Sequence, residues 1–118
     1  MKVFVYYNLH KGCFSVKALE GENRGRVIAH RDIVPLTDAK FKVSPAGRAR
    51  VLREQRKNVH AGVVGRWSMG WVHLRDQEVV RVTYNPYVYS SFVNAETKEP
   101  VHHASRVLLQ HGCIWAVL

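Results

Sequence analysis

Residues 44–65 read SPAGRARVLREQRKNVHAGVVG, and here a helix start, a run of arginines and a histidine-bearing strand are written back to back. Ser44 suits an N-cap because its hydroxyl accepts from the free N–H groups of the first turn, and Pro45 suits N1, where a missing N–H costs nothing. Gly47 at N3 leaves the capping box unmade. The pattern predicts a helix from Pro45 to about Lys57, about three and a half turns. Arg50, Arg53 and Lys57 then form one cationic stripe, while Val51, Leu52 and Gln55 face the other way as a thin apolar stripe. Arg48 intrudes on that stripe and extends its guanidinium past it. Asn58 ends the helix, and the β-branched residues and glycines of Val59 to Gly65 suit a strand that something approaches closely.

On the N-terminal side, Val3 to His10 alternates Val3, Val5, Tyr7, Leu9 with Phe4, Tyr6, Asn8, His10, the pattern of a central strand buried on both sides. Lys11-Gly12 makes a turn, Cys13 to Leu19 a half-exposed strand, residues 20–25 a polar loop, and Arg26 to His30 a further strand. Together these predict a three-stranded meander. Residues 31–40, with Pro35 and Asp38, read as a connection holding one short strand at Ile33 to Leu36. Phe41 to Val43 leads into the helix, and Pro45 biases Ser44 away from helical dihedrals.

On the C-terminal side, Trp67, Met69 and Trp71 share one parity. They make either the apolar face of a strand or an exposed patch. Glu78 to Tyr84 reads as a strand, Asn85-Pro86 breaks it, Tyr87 to Val93 continues as another, and residues 94–100 form a polar loop. Ser105 to Leu118 holds one or two strands around His111-Gly112. The expectation is a single α+β domain over residues 1–118, an antiparallel-rich curved sheet or partly open barrel of about seven strands with one main helix.

Composition narrows the function. Apolar residues at 47% and charged residues at 23% describe an ordinary globular chain of 118 residues. No apolar run approaches the roughly 20 residues of a membrane span, and MKVFVYYNLHKG lacks a signal-peptide core, so a cytosolic protein is expected. Cys13 and Cys113 have no CxxC or Cys/His partner spacing, which predicts free thiols and neither metal nor cofactor. Residues 1–58 carry thirteen lysines and arginines against five acids, and residues 59–118 carry five against four. A basic excess confined to one half points to a polyanionic partner.

Two stretches can carry chemistry. His10, followed by Lys11, closes the first strand, and His60 opens the strand after the basic helix. With Lys11 or Lys57 they form the set a metal-independent ribonuclease needs: one imidazole as base, one as acid, and a lysine for the oxyanion. His30, followed by Arg31, joins His10 and His60 in the cation-rich half. His102-His103 point to opposite faces of a strand and cannot easily chelate one metal; His73 and His111 show no partner spacing. In Tyr84 to Phe92, Tyr87 and Tyr89 share a strand face and can stack bases while Arg48, Arg50, Arg53, Arg56 and Lys57 hold phosphates.

The segments YYNLHKGCFSVKALEG, GRVIAH, RKNVHAGVVG and VTYNPYVYSSFV resemble a family of small uncharacterised proteins encoded by tailed bacteriophages. The resemblance implies a small phage protein acting in a bacterial cytoplasm on nucleic acid or against a host defence, and it assigns no function, fold or catalytic residue. From the one-sided charge and the tyrosine row, the first expectation is a nucleic-acid-binding protein, with RNA or single strands ahead of duplex DNA. The second is the ribonuclease using His10, Lys11 and His60. The third is an inhibitor that docks on a host or defence protein through Trp67, Met69 and Trp71, or captures an anionic nucleotide.

Overall fold

In the computed structural model, which describes residues 1–57, 59–68 and 78–118, the first strand sets the frame. β1 (Lys2–Asn8) buries Val3 and Val5 completely and leaves Phe4 and Tyr6 half-buried on its other side. β2 (Cys13–Ala18) pairs antiparallel with it, and β3 (Val27–Arg31) pairs with β2, so the predicted meander is present.

β4 (Ile33–Val43) corrects the reading of residues 31–40 as a connection: it is an 11-residue strand. Two features hid it. Pro35 reads as a breaker, but its carbonyl faces Ser68 N at 3.0 Å, on the side where the next strand has already run out, so its missing N–H takes nothing from that ladder. Asp38, with φ 49°, stands with Ala39 opposite the single residue Gly65 in a β-bulge. The bulge shifts the alternation, so Leu36, Ala39 and Phe41 are all buried.

α1 (Pro45–Glu54) starts as predicted, with Ser44 Oγ accepting from Gly47 N at 3.1 Å. It stops before Lys57 because Gln55 turns left-handed at φ 53° and gives its N–H to Val51 O at 2.8 Å. Arg56 and Lys57 therefore lie beyond the helix, and the predicted stripe ends at Arg53. Val51 is the helix's buried residue.

β5 (Ala61–Trp67) inserts between β1 and β4. β6 (Val80–Thr83) is followed by a turn, not by the predicted strand over Tyr87 to Val93. Asn85 organises that turn: Tyr87 N donates to its Oδ1 at 3.0 Å and Tyr89 N to its carbonyl at 2.8 Å. β7 (Val93–Asn94) is short, and β8 (His103–Gln110) and β9 (Cys113–Val117) form a hairpin. His111 (φ 51°) and Gly112 (φ 79°) make the two-residue turn whose twist matches the strands.

Among the described residues nine strands form one antiparallel sheet in the order β3-β2-β1-β5-β4-β8-β9-β6-β7, where about seven were expected. Among the described residues β3 and β7 remain its edges, so the sheet curls without closing into a barrel. Three contacts hold the curl. Gly112 approaches the Tyr7 ring so closely that a Cβ there would sit 3.3 Å from it. The Arg31 guanidinium lies 6.0 Å from the Trp67 ring centroid. His111 Nδ1 pairs with Asp32 Oδ2 at 2.5 Å. The inner face carries the core, including Val3, Val5, Val16, Val34, Leu36, Val63, Val107 and Leu109. The readings of Asn58, Met69, Trp71 and His73 lie outside the described residues. Among the described residues no helix is long and apolar enough to cross a membrane.

Candidate functional site

Antiparallel pairing puts directly opposed residues on one face of the sheet about 5 Å apart, so the register shows which side chains are neighbours. On the outer face, away from the core, one cross-strand row runs Lys2, Arg66, Thr37, Arg106. The next runs Lys17, Phe4, Val64, Lys40, His103. Lys42, opposite Gly62, follows. Lys2, Lys40, Lys42, Arg66 and Arg106 are exposed and Lys17 is half-buried. Asp38 meets the first row 3.9 Å from Arg66, with both side chains well exposed, so it neutralises little of the charge.

Two aromatic rings belong to this face: Phe4 stands in the second row, and Tyr6 lies in the row beyond it, opposite Ser15. Phe4 and Tyr6 have centroids 5.9 Å apart and are tilted 33°. Phe4 lies over Gly62, where an added Cβ would stand 2.6 Å from the ring; the missing side chain lets the ring lie against the sheet. The product is a basic sheet face with two half-exposed rings.

A cleft of about 910 Å³ opens at the C-terminal end of β1. Tyr6 and Gly62 line it together with Tyr7, Phe14, Val51, Tyr84 and Phe92. His60 Nε2 and Tyr84 OH are hydrogen-bonded at 2.7 Å. Tyr84 packs on Phe92 with centroids 5.1 Å apart. Burial raises the Tyr84 phenol above its ordinary value, and the Arg48 charge opposes this. His10 reaches the cleft from a turn shaped by Asn8, whose Oδ1 accepts from His10 N (3.0 Å) and Lys11 N (3.1 Å). Asn8 Nδ2 donates to the buried Ser15 Oγ at 3.1 Å, and that hydroxyl is bonded to His30 Nδ1 at 2.9 Å.

The cleft gathers some of the residues expected from sequence and not others. His10, Lys57, His60 and Tyr87 line it, whereas Lys11 and Tyr89 are not among its lining residues. Arg48 is half-buried, and its Nε donates to Pro86 O (3.0 Å) and Tyr89 O (2.9 Å), tying α1 to the turn after β6. Arg50 lies 3.8 Å from Glu54, and Arg53 and Arg56 are exposed. Tyr87 and Tyr89 sit on a turn and form no strand row. Trp67 packs against the core edge. Both cysteines are free, and among the described residues no group of three or more His, Cys, Asp or Glu is placed to hold a metal ion.

Sequence reasoning missed the outer face. Its signal was present in the parity of Lys2, Phe4 and Tyr6 and of Lys40 and Lys42. Only the strand order brings Arg66 and Arg106 beside them.

Comparison with known proteins bears out the phage resemblance. The family model described as Mycobacterium phage L5 gene 82 protein matches residues 1–117. The Gene 82 protein of Mycobacterium phage L5 is 46% identical over 124 residues, covering 98% of this chain and 95% of that protein. No solved structure matches.

Proposed function

The chain belongs to the family of the Mycobacterium phage L5 gene 82 protein, and from that premise we propose a phage protein that binds single-stranded nucleic acid, RNA foremost, in the host cytoplasm. One observation supports this reading above the others: the outer face carries Phe4 in one cross-strand row with Lys17 and Lys40, Tyr6 in the row beyond, and Lys2, Arg66 and Arg106 in the row before. Rings on a sheet stack unpaired bases without sequence preference, while flanking cations track the backbone and release counterions. A duplex presents no free base faces to such rings.

Anisotropy of a labelled oligonucleotide titrated with the protein tests it. If about four phosphates are engaged, log affinity falls with log salt at a slope of about −3. The triple variant Lys40→Ala, Lys42→Ala, Arg106→Ala then binds at least tenfold more weakly, with a slope flatter by about 1 for each lost contact. A flat salt dependence, or a triple variant that binds like the wild type, removes the reading.

One observation favours a second reading, the metal-independent ribonuclease: His10 and His60 line the same cleft with Lys57. It predicts RNA cleavage in chelator with a bell-shaped pH profile near the ordinary histidine value of about 6.5. RNA left intact after long incubation at high protein concentration excludes it.

A further inference from the structure

We propose that the cleft at the end of β1 is a nucleotide site, taking a nucleoside monophosphate unit with its base on the rim and its phosphate toward Lys57 and His10. Size permits this: about 910 Å³ lies at the upper end of the range that holds cofactor-sized ligands. The rim is apolar and unusually open, with Leu9 63%, Val59 52%, Tyr87 56% and Tyr7 40% exposed. Large exposed apolar residues gathered at one opening mark a binding surface, and two of these four present a ring to a base. The electrostatics select an anion, because Lys57, Arg81, His10 and His60 line the cleft and no described lining residue is an aspartate or glutamate. The half-buried, hydrogen-bonded His60 and Tyr84 add a polar pair to the otherwise apolar lining. An apolar partner segment explains the rim but not the cations, and a bare anion explains the cations but not the rim. A nucleotide uses both.

The placement also deepens the proposed binding function, on which the following step rests. Tyr6 belongs to the outer aromatic pair and lines the cleft, and Gly62 lies under Phe4 and lines it too. The cleft is also lined by the core-face residues Val5, Phe14 and Val63, so a strand lying across the outer face passes around the C-terminal end of β1 at Tyr6 to deliver its terminal nucleotide there.

The experiment is a titration of the intact protein, followed by two-dimensional amide NMR, with adenosine 5′-monophosphate, cytidine 5′-monophosphate, adenosine, inorganic phosphate and a short oligonucleotide bearing a terminal phosphate. Mononucleotide binding should shift the amides of residues 57, 60 and 87. It should weaken at least fivefold in Lys57→Ala and in Tyr87→Ser, two exposed substitutions that leave the core intact. The outer-face triple variant should keep mononucleotide binding while losing the oligonucleotide. Retention of both by that variant overturns the outer-face reading and the delivery step, yet supports the cleft as a site for free nucleotides. Absence of mononucleotide binding, an affinity for phosphate equal to that for the nucleotides, or indifference to both cleft substitutions overturns the cleft proposal itself.

Discussion

A Cβ on Gly62 would stand 2.5 Å from the Val5 carbonyl as well as 2.6 Å from the Phe4 ring. The ring can move, but the β1 backbone is held in the sheet. Gly62→Ala should therefore lift Phe4 off the outer face and destabilise the protein by about 1–3 kcal/mol, the range for overpacking, as read by urea unfolding. Tyr84 supplies a second test at the same scale. Burial favours its neutral phenol in the folded protein, so this contribution to stability is present below the unfolded value of about 10 and is lost as pH rises through the higher folded value. The stability advantage of the wild type over Tyr84→Phe, measured by denaturant titration across pH 8 to 12, should shrink above pH 10. A constant difference would mean that Tyr84 titrates like a free phenol.

At the scale of elements, α1 depends on Arg48 for its attachment to the turn after β6. The lost Nε donor leaves the carbonyls of Pro86 and Tyr89 without its hydrogen bonds, so Arg48→Ala should cost about 1.5–3 kcal/mol. Amide exchange over residues 85–89 should accelerate with it. The sequence made the meander, the helix start and the His111-Gly112 turn legible because each rests on local chemistry: alternation, an N-cap with Pro45, and a short turn between apolar runs. It misled where a distant partner decides. Gln55 pays for left-handed backbone at the end of α1, a position that composition assigns to glycine. The Asp38 bulge needs Gly65 from another strand and disguised β4 by slipping its alternation. Asn85 folds the tyrosine-rich stretch into a turn, where the spacing of Tyr87 and Tyr89 imitates a strand. The same limit applied to the site: His10 and His60 were visible as single residues, and only the fold places them on one cleft.

For the whole molecule, a formal net charge of +9 says that a polyanion will be attracted but not where it will sit. The cations of the first 58 residues do not form one docking ground. Lys2, Lys17, Lys40 and Lys42 join Arg66 and Arg106 from the second half on the outer face, while Arg50, Arg53 and Arg56 stay with α1 and the residues after it. Charge crowded in sequence is thereby spread over several places, with Lys57 on the cleft and Arg31 beside Trp67, and the place that also carries Phe4 and Tyr6 is the one assigned to the strand. Ultraviolet cross-linking of a uridine-containing oligonucleotide to the intact protein, with the adducts located by mass spectrometry, tests this assignment most directly. The account predicts adducts on Phe4 and Tyr6; adducts confined to α1 and the turn at residues 85–89, with Phe4 and Tyr6 unmodified, would contradict it.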